Sequence, residues 1–250
     1  MNVDLTRLLN EWPYEPGKLN VRLITADDGE QRVQVRLDLG ILQMHVDGRP
    51  DGQRPSGYDS LLEYHEARLD EAEQTGEGQP KFSLTEDECE ELRSEAVQYY
   101  HRYMALLVLE DYEGVVRDTT RNLRVLDLCA KHAETEADRA ALEQFRPYIT
   151  MMRARAMASQ ALKDNEPKAA LHAIDEGLAA LKQYFADNGE PDLFDQSSEV
   201  QMLKGMREAL VPKLPVSQKS ELKARLARAI EQENYELAAI LRDELRLLKD

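Results

Sequence analysis

The chain has 250 residues, of which 42% are hydrophobic and 32% charged, and its net charge is −16. The acid is concentrated between Asp59 and Glu95, where 13 acidic residues stand against three basic ones. This charge repels phosphate backbones, and no basic stripe with interleaved aromatic residues compensates for it. We therefore expect no direct nucleic-acid binding by residues 1–214.

The sequence shows no signal-peptide pattern and no membrane span, and this, together with the positions of its cysteines, indicates a cytoplasmic protein. The amino terminus lacks a basic segment followed by an apolar core, and no apolar run approaches the length of a membrane span. Cys89 and Cys129 are 40 residues apart and each falls on an apolar helical face. They are typical of buried thiols in a reducing compartment, not of a disulfide framework or a metal pair. We expect no metal, no cofactor and no membrane partner.

Residues 1–75 are predicted to form a small α+β domain. A short helix over Leu5–Asn10 precedes three antiparallel strands, at Asn20–Thr25, Arg32–Leu39 and Ile41–Val46. In the second strand, apolar residues alternate with polar ones, as in a sheet with one buried face. Its apolar positions are Val33, Val35, Leu37 and Leu39. Gly40 is interpreted as a bulge, and a helix near Tyr58–Glu73 is expected to cover the sheet.

The segment Gly48–Gly57 contains glycines, prolines and two arginines, and it has two interpretations. It could cradle an anion at the start of the following helix, or it is a polar connector. It matches no phosphate-loop pattern, which favours the connector.

Residues 83–211 are predicted to be a helical domain. Ser83-Leu-Thr-Glu86 has the pattern of a capping box, and it opens a helix with one apolar face. That face is predicted to contain Cys89, Leu92, Ala96, Tyr100, Tyr103 and Leu107. Four further helices follow, the second of them restarting near Pro147. They begin after Asp111-Tyr-Glu-Gly114, near Glu136, at Pro167 and near Gln196.

The turns between these helices resemble one another. Glu110–Asp118 and Gln232–Ala239 share an acidic turn followed by Tyr-Glu, and Lys163–Leu171 is a looser copy. Such stacked hairpins are similar to tetratricopeptide repeats. A plain helical bundle explains the same periodicity, because the Trp, Leu-Gly and Tyr positions of that family are missing.

No catalytic signature is present. The five histidines form no i, i+4 metal pair, and no nucleophile elbow, phosphate loop or dinucleotide fingerprint occurs. The acids around Glu86–Glu91 are interpreted as a solvated helix surface. Tyr99, Tyr100, Tyr103 and Tyr112 form an aromatic group that contacts either a ligand or, as we favour, the packing between helical hairpins. We expect no enzyme activity and name no catalytic residue.

The carboxy-terminal residues 216–250 are predicted to form a helical hairpin. Leu222, Leu226 and Ile230 recur at helical spacing in the first helix, and Asn234 lies at the break. The second helix has a leucine stripe at Leu237, Leu241, Leu245 and Leu248. Two helices of about four turns bury too little apolar surface to be stable alone. The exposed stripe therefore contacts either the rest of this chain or a partner.

The run from the acidic turn through Tyr235-Glu236, Ala238-Ala239 and Leu241–Leu245 resembles the UVR motif of the excision-repair subunits UvrB and UvrC. In that family, the motif is a helical hairpin that docks other proteins, often a second UVR hairpin. The resemblance implies a bacterial, non-catalytic adaptor or regulator that acts through protein–protein contacts. An accessory factor of nucleotide excision repair, recruited by UVR–UVR pairing, is the alternative, and an uncharacterised enzyme a lesser one. The resemblance assigns partner binding to Tyr235, Leu237, Ala238, Leu241, Arg242, Asp243 and Leu245.

The sequence thus predicts an α+β protein that is mostly α. It has a three-stranded antiparallel sheet, a helical body and a UVR hairpin. The partner is expected to be a UVR-containing protein or a second copy of this chain. A direct duplex contact by Lys219, Lys223, Arg225 and Arg228 is the less favoured alternative.

Overall fold

The computed structural model describes residues 4–74, 81–210, 226–228, 230–231 and 242. The chain divides into two compact units, residues 1–208 and 209–250. The first contains the sheet and the helical body, so the α+β, mostly α fold class is confirmed. The finer division of this unit into domains at residues 1–75 and 83–211 stays a prediction.

The amino-terminal part consists of helix α1 (Thr6–Glu11) and a three-stranded antiparallel meander. Its strands are β1 (Asn20–Thr25), β2 (Gln31–Arg36) and β3 (Ile41–His45), in that spatial order. Val33 of β2 pairs with Leu23 and Met44; Val33, Val35 and Met44 are buried, whereas Leu23 is 45% exposed.

The second strand is shorter than predicted. It ends at Arg36, because the backbones of Leu37 and Gly40 hydrogen-bond to each other and close the turn to β3. Leu39 is 89% exposed, so the alternation beyond Val35 does not belong to a buried face. Gly40 belongs to this turn, and its interpretation as a bulge was wrong.

Both faces of β2 are covered, although the sequence indicated one. Gln34 lies between Arg22 and Gln43 and hydrogen-bonds to both across the sheet at 2.7 Å. Arg36 donates to the carbonyl oxygen of Trp12 at 2.7 Å. Central strands have neighbours on both sides, and these polar side chains are buried by one another.

The helical body begins with α2 (Leu61–Gln74) and α3 (Glu86–Val108). Both α2 and strand β2 pack on α3. The main helix contact of the sheet is thus with α3, whereas the sequence suggested α2. Thr85 caps α3: its hydroxyl accepts from the backbone of Glu88, whose carboxylate accepts from the backbone of Thr85. The capping box therefore lies two residues after the predicted Ser83–Glu86 pattern.

Four longer helices and one short one follow, at the positions that the sequence predicted. They are α4 (Tyr112–His132), α5 (Glu136–Ala141), α6 (Arg146–Lys163), α7 (Pro167–Asp187) and α8 (Ser198–Leu210). Helix α3 packs on α4, α4 on α6 and α6 on α7. Pro147 and Pro167 lie in the first turns of α6 and α7, where no intrahelical N–H donor is needed.

The turns after α3, α6 and α7 have the same hydrogen bonds. In each turn a residue with positive φ follows the helix: Glu110 at 58°, Asn165 at 61° and Gly189 at 73°. The next backbone N–H then donates to the carbonyl five residues earlier, a Schellman ending. The similarity predicted between the turns at Glu110–Asp118 and Lys163–Leu171 therefore has a structural basis. The choice between tetratricopeptide-like repeats and a plain bundle stays open.

The core of the helical body contains apolar residues of α2, α3, α4 and α6. On α3 the buried positions alternate in steps of three and four: Cys89, Leu92, Ala96, Tyr99, Tyr103 and Leu106. The predicted face agreed up to Ala96, but it placed Tyr100 and Leu107 where Tyr99 and Leu106 are buried. Two successive steps of four advance beyond the 3.6-residue period, and this moved the predicted face away from the core.

Candidate functional site

The carboxy-terminal hairpin is largely outside the described residues. Arg242 is helical and exposed. The other six residues predicted to bind a partner lie outside the described part of the chain: Tyr235, Leu237, Ala238, Leu241, Asp243 and Leu245.

The described residues of the first hairpin helix agree with its prediction. Leu226, Ala227 and Arg228 are helical, and so are Ile230 and Glu231. Ile230 is 53% exposed and Leu226 is half-buried. Apolar side chains of this helix are thus available to solvent.

Two buried ion pairs in the helical body were not predicted, and the first is Arg102 with Asp118. Arg102 of α3 donates from Nε and Nη2 to the carboxylate of Asp118 on α4, at 2.7 and 2.8 Å. Neither side chain is more than 1% exposed. The remaining terminal nitrogen of Arg102 donates to the carbonyl oxygens of His45 and Gly48 at 3.0 and 2.8 Å. Arg102 therefore joins α4 to the chain that leaves β3.

The second pair is Glu95 with Arg121, and it holds the beginning of α2. The Glu95 carboxylate is fully buried and accepts from Arg121 and from the backbone N–H of Leu61, the latter at 2.9 Å. An anion at a helix amino terminus satisfies unpaired N–H groups and is favoured by the helix dipole. Burial, together with the positive charges of Arg49 and Arg124, lowers the pKa of Arg121 to about 9. Arg121 remains charged at neutral pH.

Tyr99 lies between the two ion pairs. The guanidinium carbon of Arg102 is 4.8 Å from the centre of its ring, and that of Arg121 is 4.1 Å away. Burial raises the pKa of Tyr99 to about 12, so its phenol is neutral. This part of the aromatic group packs in the core, as the sequence favoured, but it does so between cations.

The two arginines of the Gly48–Gly57 loop also lie beside carboxylates. Arg49 Nε is 3.2 Å from carboxylate oxygens of both Asp51 and Glu95, although neither contact has hydrogen-bond geometry. Arg54 pairs with Asp59 at 2.6 Å. Because carboxylates already neutralise both arginines, the geometry favours the connector over the anion cradle.

His65 is a buried histidine that makes one hydrogen bond. Arg68 is a donor only, so the contact of 3.0 Å makes Nδ1 the acceptor and leaves the proton on Nε2. Nε2 is buried without a hydrogen-bond partner. Burial lowers the pKa of His65, with Glu88 raising it and Arg68 lowering it to smaller extents.

Cys89 and Cys129 are free thiols, and both are buried in the same apolar cluster. Burial raises the pKa of Cys129 to about 12, and the adjacent Cys89 thiol adds to the shift. Thiols in this state are poor nucleophiles at neutral pH. Across the described residues, no group of three or more His, Cys, Asp or Glu side chains could hold a metal ion.

The acids at the start of α3 behave as a solvated surface. Glu86, Asp87, Glu90 and Glu91 are exposed, and Glu88 is used in the capping box.

None of the helices in the described ranges is both long and apolar enough to cross a membrane.

The UvrB/uvrC motif family (UVR) matches residues 217–250, so the resemblance seen in the sequence is confirmed. No curated protein and no solved structure matches the chain. The motif is known from nucleotide excision repair proteins and mediates protein interactions.

Proposed function

We propose that the protein is a non-catalytic adaptor whose carboxy-terminal UVR hairpin binds a partner protein. The match of residues 217–250 to the UvrB/uvrC motif is the observation that carries this proposal. The hairpin belongs to a compact unit of its own, residues 209–250. This division suits a module that presents a binding surface.

The sequence of the predicted hairpin contains an apolar stripe and charges suited to docking. Its predicted second helix has leucines at positions 237, 241 and 245, with Arg242 and Asp243 next to Leu241 in the sequence. Burying apolar surface stabilises a complex by roughly 25 cal/mol per Å2, and flanking charges of both signs orient the partner. Between Pro215 and Asp250 there are seven residues of each sign, so the hairpin avoids the strong negative charge of the body.

The helical body supports a role without catalysis. Its buried charged side chains are paired, Arg102 with Asp118 and Glu95 with Arg121, and these pairs hold elements together. Arg102, Asp118 and Arg121 line a cavity of about 480 Å3, but each of their charges already has a countercharge within hydrogen-bond distance.

The preferred partner is a protein that carries a UVR hairpin, either another protein or a second copy of this chain. The name of the matched motif favours a second candidate, in which the chain is an accessory factor of nucleotide excision repair. In that case a repair subunit supplies the second hairpin.

Self-association is tested with Leu241→Asp in the full chain, by light scattering after size-exclusion chromatography over a range of concentrations. A charge inside the contact should abolish concentration-dependent dimerisation and leave the circular dichroism of the body unchanged. Ala227→Asp is the matched control, because it places the same charge at an exposed position of the first helix.

The second arm uses a labelled peptide that carries the UVR hairpin of UvrB. Binding to the full chain that is lost in Leu241→Asp supports the repair candidate, whereas dimerisation without peptide binding supports the general adaptor. If Leu241→Asp also unfolds residues 1–208, the leucine stripe belongs to the core of this chain, and the docking proposal is wrong.

A further inference from the structure

A cavity of about 510 Å3 opens between α3, α4 and the start of α6. Its walls come from the side of α3 that faces away from the ion pairs, from α4, and from the turn that precedes α6. The main lining residues are Ala96, Val97, Tyr100, Tyr103, Phe145 and Ile149. This volume lies within the range of sites for small organic molecules, roughly 300–1,000 Å3.

The lining is apolar and aromatic. The cavity has an open side, the mouth, and a buried side, the floor. Val97 and Phe145 are each 51% exposed and lie at the mouth, together with the partly exposed Tyr100. Tyr103 is 1% exposed and lies at the floor, where its ring meets that of Tyr100 edge to face at 5.5 Å. Aromatic walls with one open side suit a flat apolar ligand.

Three polar side chains of the lining already have partners. Arg93 pairs with Asp138 at 2.8 Å, and the Asn122 side-chain amide donates to the carbonyl oxygen of Ala96 at 3.0 Å. The Tyr148 hydroxyl donates to Met104 Sδ at 3.2 Å. Because these groups are already hydrogen-bonded or paired, they need no ligand to satisfy them.

Within the described part of the chain, the hydroxyls of Tyr100 and Tyr103 and the ring of His101 have no hydrogen-bond partner, and of these three residues only Tyr103 is buried. Burial raises the pKa of Tyr103, with the phenols of Tyr148 and Tyr100 adding to the shift, so the hydroxyl keeps its proton and is a donor. A ligand in the cavity that carries an acceptor gains a hydrogen bond from this donor.

The charge of the cavity indicates a neutral ligand. The lining contains no carboxylate, the charge of Arg93 is balanced by Asp138, and burial lowers the pKa of His101. A chain with a net charge of −16 repels anions at longer range. We propose that this cavity binds an uncharged, mainly apolar small molecule, and that the Tyr103 hydroxyl donates a hydrogen bond to an acceptor on it.

The site is separate from the docking function proposed for residues 217–250, and its test needs no protein partner. The probe is prodan, an uncharged naphthalene that carries a ketone and whose emission shifts to the blue in apolar surroundings. Titrated into the full chain, it should bind saturably with one site per chain. The anionic probe anilinonaphthalene sulfonate should bind more weakly.

Two variants locate the bound probe. Val97→Trp fills the mouth and should weaken prodan binding by at least about tenfold. Its control is Val108→Trp, on the same helix at a comparable exposure of 48% but outside the lining, which should leave binding unchanged. Tyr103→Phe removes only the donor and should weaken binding by about two- to tenfold, the range expected for one neutral hydrogen bond.

The proposal is overturned if prodan does not saturate, or if Val97→Trp and Val108→Trp bind it equally well. An unchanged affinity in Tyr103→Phe would overturn the assigned hydrogen bond. Tighter binding of the anionic probe would overturn the assignment of a neutral ligand. Circular dichroism of each variant checks that the fold is kept.

Discussion

Replacing Gly177 by alanine should destabilise the helical body, although alanine is the better helix former. Gly177 lies in α7, where a Cβ atom would be 2.5 Å from the Cβ of Ala154 on α6 and 3.1 Å from Cδ1 of Leu203 on α8. Carbon atoms in favourable contact are about 3.5–4.0 Å apart. The Ala154 methyl group cannot rotate away, so α6 and α7 would have to separate.

The magnitude follows from two opposing effects. Alanine gains about 0.8–1.0 kcal/mol of helix propensity over glycine. Overpacking a close contact costs about 1–3 kcal/mol, and a contact with a fixed methyl group belongs at the upper end. The net loss should be about 1–2 kcal/mol, which lowers Tm by roughly 2–8 °C in a unit of this size.

Gly205→Ala in α8 is the matched control, because nothing lies within 4 Å of the Cβ it would add. This variant should gain stability, by up to about 1 kcal/mol. Both are measured by urea unfolding followed by circular dichroism, read from the midpoint at an unchanged slope. If Gly177→Ala is as stable as the parent chain, or if both variants shift in the same direction, the close approach of α6 and α7 is not what requires glycine.

Two further predictions concern buried polar groups. Asp118→Asn should lower the unfolding free energy by about 3–5 kcal/mol, because it leaves Arg102 charged and buried beside a neutral amide. The control is Glu11→Gln, which breaks an exposed ion pair and should leave the midpoint of urea unfolding unchanged. His65 is held neutral in the fold while the unfolded chain protonates it near pH 6.5, so stability should fall as pH drops through that value. Substituting asparagine for His65 should make this dependence less steep but not remove it, because burial also lowers the pKa of His101 and His132.

Most elements of the fold could be predicted because their signals are local. Pro167 and the acidic turns mark the helix ends, and the boundaries predicted from them agree closely with α4, α6 and α7. The strands β1 and β3 were placed correctly by alternation and by the turn at Asp27–Gly29. The end of β2 was not placed correctly, because the apolar residues Leu37 and Leu39 continue the alternation into the turn between β2 and β3. Only the pairing of β2 with β3 shows where this turn begins.

The two candidate sites also differ in whether a local signal predicts them. The UVR motif was recognisable from residues 217–250 alone, because its turn and leucine spacing lie within one short segment. The cavity was not predicted, although Tyr100 and Tyr103 were noted as an aromatic group. Its walls come from three separate segments, within residues 93–103, 122–126 and 142–149, and no local pattern predicts that these segments meet.

The amino-acid sequence by itself determined where most helices and strands form and that residues 217–250 match a UVR motif. These properties follow from backbone preferences and from periodicity within single segments. Only the tertiary structure decided that Arg102, Asp118, Glu95 and Arg121 are buried. A charged residue on a helix face has the same sequence pattern whether it is exposed or paired. Its burial depends on whether another element brings a countercharge within hydrogen-bond distance.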